Sequence, residues 1–294
     1  MTRVLLLDTF SIFFRAFYAL PPMTTAAGQP TSALYGLSVM LLKLLREEQP
    51  LGLTFALDGP QQTFRHVQNP DYKAQRAAVP DPLAQQLRVL PQLIGAFGVP
   101  CFAVPGFEAD DVLATIAVEL AALGKPVRIV TGDRDLFQIV RERIDVMFVG
   151  ARARGRKPVI YDRQAVERRY GLRPDQLPSR TALAGDVTDN LPKVAGLGER
   201  GAEALIRSFG DVQSMLSQLS TVTPTRLREA LERATDQIRS TESLARLRLD
   251  VPLPEGPRYA AVDPSRLPAL RELFLELEFK SLVPRLDGIL AMAE

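Results

Sequence analysis

Short apolar runs that end in an aspartate punctuate the first half of the chain. Val4-Leu5-Leu6-Leu7 runs into Asp8, and Leu53-Thr54-Phe55-Ala56-Leu57 runs into Asp58. Val127-Arg128-Ile129-Val130 leads to Thr131-Gly132-Asp133. Runs without strict alternation suit strands buried on both faces, hence a parallel sheet. Leu34 to Leu45, Leu83 to Phe97 and Glu108 to Leu123 carry apolar residues at helical spacing, with a short apolar stretch, Cys101 to Val104, between the last two. Strands alternating with helices predict an α/β fold with a mainly parallel sheet.

Phe148 to Tyr161 predicts a hairpin around the basic run Arg152 to Lys157, and from about residue 163 the pattern turns mainly helical. A Pro-rich stretch, Pro252 to Pro257, separates two helical stretches. Pro60 to Pro82 holds four prolines and few apolar residues. It is expected to stay out of the core, as a mobile excursion of the kind that often carries function.

In open parallel sheets the site lies outside the carboxyl ends of the strands. Asp8, Asp58 and Asp133 all fall there. With Glu108, Asp110, Asp111, Asp135, Asp186 and Asp189 they make nine carboxylates in five clusters: LLLDTF, TFALDG, GFEADDVLA, VTGDRD and AGDVTDN. Capping of a following helix explains any one of these acids, but three acids within Glu108 to Asp111 exceed what a helix start needs. Brought together without cations they would repel one another strongly. The chain has one histidine, His66, and one cysteine, Cys101, so a His- or Cys-rich metal site and a disulfide framework are both excluded. Oxygen ligands alone favour Mg²⁺ or Mn²⁺, and a two-metal oxygen site suits phosphodiester chemistry. An aspartyl-nucleophile phosphatase would place a second Asp two residues after Asp8, where Phe10 stands.

Charge sharpens this picture. The formal net charge is +2, from 36 basic and 34 acidic residues; without the nine candidate ligands, 25 acids remain and the surplus is eleven positive charges. A basic surface around an acidic hole is what a nucleic-acid-cutting protein needs. The absence of a long apolar run and of a leader-like start predicts a cytoplasmic protein.

Two further motifs bear on a nucleic-acid partner. Gly196-Leu197-Gly198-Glu199-Arg200-Gly201 matches a dinucleotide-binding spacing, but no apolar strand precedes it. A tight glycine loop leading into a helix over Ala202 to Phe209 fits better. Its free N–H groups, with Lys193 and Arg200 alongside, would grip a DNA backbone without reading bases. In the excursion, Tyr72-Lys73-Ala74-Gln75-Arg76 would, if helical, put Lys73 and Arg76 on one face toward an incoming phosphate. Arg15 could act likewise, and His66 reads as a surface residue.

These residues resemble the 5′-nuclease (flap endonuclease) family, most closely the N-terminal 5′→3′ exonuclease domain of bacterial DNA polymerase I and its stand-alone relatives. The likeness spans almost the whole chain, through LLLDTFSIFFRAFYALPP, FALDG, FRH, YKAQR, PGFEADDVLA, TGDRDLFQ, ALAGDVTDNLP, GLGERGAEALI and LEFKSL. It implies a PIN-like sheet with a helical arch at about 60–90 in a catalytic domain, 1–165. A helical lobe, 166–294, would carry a helix–hairpin–helix (helix–three-turn–helix) motif at about 185–210. It implies Asp8, Asp58, Glu108 and Asp110 as ligands of a first metal, and Asp111, Asp133, Asp135, Asp186 and Asp189 around a second. Lys73 and Arg76 would act at the scissile phosphate, and Arg15 near the 5′ end. Tyr72, Lys193, Gly196, Gly198, Arg200 and Gly201 would contact DNA, with K⁺ a candidate cation in the glycine loop. The implied activity is Mg²⁺-dependent cleavage of 5′-flap or 5′-ended DNA in replication and repair, with a DNA polymerase as a candidate partner. Two rival readings are a PIN-type endoribonuclease, which would not need the glycine-loop lobe, and a non-catalytic DNA-binding paralogue, which would lack carboxylates.

Overall fold

A computed structural model of the protein describes residues 2–150 and 158–293, so the basic run 152–157 lies outside the described residues. Six strands form one sheet: β1 (Val4–Asp8), β2 (Gly52–Ala56), β3 (Cys101–Phe102), β4 (Val127–Thr131), β5 (Ile144–Phe148) and β6 (Val159–Tyr161). Their order is β3-β2-β1-β4-β5-β6, parallel throughout except for the antiparallel β5–β6 pair. The apolar runs are buried on both faces, as a parallel sheet requires. In β1, Leu5 and Leu7 enter one core while Val4 and Leu6 enter the other. The two-residue period of a strand makes that division, and each fully buried leucine contributes about 1.5–3 kcal/mol.

Helices α1 (Thr9–Ala19) and α2 (Ser32–Glu48) cover the first face, and α3 (Phe64–Gln68) and α4 (Asp81–Gly95) follow β2. Helix α5 (Ala109–Ala122) covers the second face. No helix is expected from the pattern before Leu34, yet α1 follows β1 directly. Its signal is present in Phe10, Phe13, Phe14 and Phe17, one apolar stripe at helical spacing.

The second half holds α6 (Arg163–Tyr170), α7 (Leu177–Ala184), α8 (Glu199–Phe209), α9 (Val212–Ser217), α10 (Thr225–Arg233) and α11 (Thr235–Ala245). Helices α7 to α11 share a third core built on Leu183, Val194, Ile206, Met215, Leu231 and Ile238. The chain then leaves this lobe. Ala260 pairs with Leu53 on the part of β2 that β3 leaves open. Helices α12 (Leu267–Glu276) and α13 (Val283–Ala293) follow, and Leu270, Phe274 and Leu286 join the first core beside α2. Residues 166–294 are thus not one lobe, because the apolar faces of the last two helices are buried on the sheet layer.

Candidate active site

The sheet brings the carboxyl ends of β1, β2 and β4 together, and the acids with them. Asp8 caps α1: one carboxylate oxygen accepts the Ser11 N–H at 3.2 Å, and the other accepts the Thr131 hydroxyl from β4 at 2.5 Å. Asp58 accepts the Ala109 N–H at 2.9 Å, tying the end of β2 to the start of α5. Asp133 accepts the Asp135 N–H at 2.9 Å. Gly185, at φ +71°, ends α7 and turns the chain into the loop of Asp186 and Asp189. A side chain there would meet the Leu191 carbonyl at 2.7 Å, so only glycine fits.

The charges of these acids act on one another. Burial, and after it the nearby charges of Asp133 and Asp58, raise the Asp8 pKa to about 7. Asp110 is held well above the usual carboxylate range, first by burial and then by Asp8, Asp133 and Asp135. Asp135 is raised in the same way by burial, Asp133, Asp189 and Asp186. Among the described residues, Asp8, Asp58, Asp110, Asp133, Asp135 and Asp186 make no ion pair with a basic side chain.

The other three acids are already neutralised, by the excursion itself. Arg65 on α3 is 2% exposed and spends its donors inward. It makes a two-pronged pair with Asp111 at 2.6 and 2.8 Å and reaches Glu108 at 3.2 Å and the carbonyls of Leu244 and Arg246 at 2.7 and 3.2 Å. Asp111 is fully buried and also accepts the N–H groups of Glu108 and Arg248. In this arrangement Asp111, expected near a second metal, anchors Arg65 and the strap after α11. Glu108 and Asp111, three residues apart on one helix start, signal that a cation must sit between them. Nothing local in the sequence marks Arg65 as that cation.

Lys73 Nζ lies 2.8 Å from Glu108 and 3.8 Å from Asp189, and Arg76 lies 3.1 Å from Asp189. Burial works against the Lys73 ammonium, but Glu108 and Asp189 outweigh it and its pKa is raised. The Tyr72 hydroxyl lies 2.9 Å from Asp189 and 3.1 Å from Glu108, shared between them, and its ring is buried. In this arrangement Tyr72, expected to contact DNA, is turned toward the acids and away from solvent. Residues 70–75 form turns, with Lys73 at φ +56°, so a helix does not put Lys73 and Arg76 on one face; their shared acid, Asp189, does. Far from standing clear of the protein, this part of the excursion packs onto the acidic site, because its cations find uncompensated carboxylates there. His66 is partly exposed, bonds Thr63 and meets the Tyr72 ring edge-on at 5.4 Å.

Six carboxylates without a basic partner, three of them with pKa values raised by burial and mutual repulsion, are the donor set a hard divalent cation fits. Among the described residues, no three acidic, His or Cys groups yet converge on a single ion position.

Arg15 on α1 reaches the same rim: its guanidinium lies about 3.1 Å from where a Gly132 side chain would begin, next to Asp133. The glycine loop belongs to the connection between α7 and α8, after Asp186 and Asp189. Gly196 is at φ +76°, Gly198 caps α8, and both face open space. Lys193 and Arg200 are exposed beside them. Gly201 sits inside α8 against Leu197, a packing position and not part of the loop.

Comparison with known proteins agrees with this architecture. The N-terminal resolvase-like domain of the 5′-3′ exonucleases matches residues 3–171, and their C-terminal SAM fold matches residues 172–266. DNA polymerase I of Mycobacterium tuberculosis is 38% identical over 292 residues, 99% of this chain and 32% of that protein. The thermostable DNA polymerase I of Thermus thermophilus is 37% identical over 281 residues, 96% of this chain and 33% of that protein. The chain thus spans about a third of the length of these relatives. The flap endonuclease of bacteriophage T5, solved with DNA and metal ions, superposes with a TM-score of 0.68 at 17% identity, covering 98% of this chain and 99% of that one. The chain belongs to the 5′-3′ exonuclease family and carries both the resolvase-like and the SAM-fold domain of its members.

Proposed function

We propose that this chain is a structure-specific, Mg²⁺-dependent 5′→3′ exonuclease and 5′-flap endonuclease that hydrolyses DNA phosphodiester bonds. The observation that carries the reading is the cluster of six unpaired carboxylates at the sheet edge, rimmed by Arg15, Lys73 and Arg76. An acidic hole with a cationic rim suits a phosphodiester that arrives with divalent cations.

Asp8, Asp58, Asp110 and Asp133 would hold one ion, and Asp135 and Asp186 a second. Glu108 and Asp189 would become available to them once Lys73 and Arg76 turn to the phosphate. Mg²⁺ held there would supply Lewis acidity for the attacking water and for the leaving 3′ oxygen. The chain's own part is positioning and charge. Lys73 and Arg76 neutralise the non-bridging oxygens as charge builds on them. The buried Arg65–Asp111 pair fixes the base of the excursion and the start of α5 relative to each other. The glycine loop of α7–α8 would grip duplex backbone, with K⁺ as its loop cation, so shape and not sequence would select the substrate.

In this reading residues 1–165 carry the main part of the catalytic unit, joined by Asp186 and Asp189, with the duplex grip in the helices after them. The family relationship supports a place in DNA replication and repair, in the cytoplasm, beside a DNA polymerase. No helix among the described residues is long and apolar enough to cross a membrane. A labelled 5′-flap duplex incubated with the protein should be cut near the junction in Mg²⁺ and left intact in EDTA. Uncut DNA under both conditions, with the duplex still bound, would instead favour a non-catalytic DNA-binding role.

A further inference from the structure

Beside the acidic site lies a cavity of about 340 Å³ between α6, α7 and the start of α8. Asp135 and Asp186 form its border with the acids, and Glu199 of α8 its border with the glycine loop. A strand running from the acids to the duplex grip would cross it. Three arginines line it: Arg134, Arg169 and Arg180.

These guanidinium groups differ in what holds them. Arg180 is spent on Glu199 and Glu203, both at 3.0 Å. Arg134 and Arg169 have no carboxylate partner among the described residues, and both are exposed. Aromatic residues hold them instead. Arg134 lies 5.7 Å from the Phe148 ring centroid, and Arg169 lies 5.3 Å from that of Tyr170 and 5.9 Å from that of Tyr161. Arg169 also donates one hydrogen bond to the Tyr161 hydroxyl, at 3.3 Å. The rings are themselves fixed, since Tyr161 stacks on Phe137 at 4.3 Å and Phe148 meets both edge-on.

The distinction matters chemically. An arginine paired to a carboxylate must give up that partner before it can take a phosphate. An arginine resting on aromatic faces is oriented by them and keeps most of its N–H donors free in the guanidinium plane. Among the described residues, the acids bordering this space on the catalytic side are Asp135 and Asp186, both in the set that would be neutralised by divalent cations.

We propose that this cavity binds one backbone phosphate of the substrate DNA, held jointly by Arg134 and Arg169, between the cleavage site and the duplex grip. The inference rests on the nuclease reading above and adds a binding site to it. The phosphate is recognised through paired, planar donors, the geometry that arginine offers and lysine does not.

The test is binding of a 5′-flap duplex by anisotropy in Ca²⁺, a divalent cation offered to the acids in place of Mg²⁺, for wild type, Arg134→Ala, Arg169→Ala and the double variant, with a single methylphosphonate moved along the cleaved strand. Both side chains are exposed, so all variants should melt within about 2 °C of wild type. One methylphosphonate position should weaken wild-type binding by about 10-fold and cost the double variant nothing further. The double variant should lose about 0.9 from the slope of log K against log salt, the value for a single shared phosphate. Arg169→Lys should retain the slope and still bind less tightly. The proposal is overturned if the double variant binds with wild-type affinity and slope. It is equally overturned if every methylphosphonate costs the double variant what it costs wild type, or if an abasic site and not a neutral phosphate reproduces the loss. Wild-type cleavage of the flap alongside any of these results leaves the nuclease reading standing, whereas failure of wild type to bind or cut DNA removes both.

Discussion

The Lys73 ammonium sits 2.8 Å from a carboxylate oxygen of Glu108, so the cation expected at the scissile phosphate occupies an acid expected to hold metal. On the proposed reading, Lys73 and a divalent cation would compete for Glu108 before DNA arrives. Lys73→Ala should bind Mn²⁺ several-fold more tightly in calorimetry without DNA. It should also lower single-turnover cleavage far more than flap affinity, because its hold on the phosphate strengthens as charge develops there. Lost binding with an unchanged single-turnover rate would reduce Lys73 to a positioning role.

Asp111 and Asp135 should respond in opposite ways to loss of charge. Asp111→Ala leaves Arg65 buried beside Glu108 alone and should cost about 3–5 kcal/mol of stability, seen as a lower urea midpoint. Asp135→Asn removes a repelled carboxylate. It should raise the melting temperature in EDTA while cutting cleavage by about 100-fold or more. A destabilised Asp135→Asn protein would show that the acids are not in mutual repulsion.

Stability should fall with rising pH in the absence of divalent cations. The Asp8 pKa is raised in the folded protein to about 7 from 3.8, so the folded state holds a proton that the unfolded state releases. The stabilisation this gives is complete below about pH 3.8 and is lost as pH rises toward 7. Asp110 and Asp135 act in the same direction. Mn²⁺ needs the ionised acids, so it should raise the melting temperature more at pH 8 than at pH 5.5. An EDTA melting temperature that climbs steadily from pH 5 to 8 would contradict the charge assignment.

The glycine loop should be separable from the acids. A side chain at Gly198 meets open space, so Gly198→Phe should melt like wild type yet weaken duplex binding about equally for all sequences. Removing the charge of Lys193 or Arg200 should flatten the salt dependence by up to about one unit of slope for each phosphate no longer held. Unchanged affinity in all three variants would place the duplex elsewhere.

Sequence alone determined the strands that carry Asp8, Asp58 and Asp133 and the edge of the sheet they share. A strand buried on both faces must be apolar along its whole length, so an acid at its end stands out. Helix α1 left a signal in its four phenylalanines, but no helix is expected from the pattern there. The state of each acid was not legible. Asp111 meets Arg65 across 46 residues, and Asp189 meets Tyr72 across 117, pairings with no local period to announce them. Only the tertiary structure decided that Arg65 is core, that Tyr72 is turned to Glu108 and Asp189 and that α12 and α13 return to the sheet. The pairing of Glu108, Asp111 and Asp189 with the excursion, and the exposure of the remaining six acids to one another, follow from which charges the fold buries side by side. In that setting an unpaired charge is most costly.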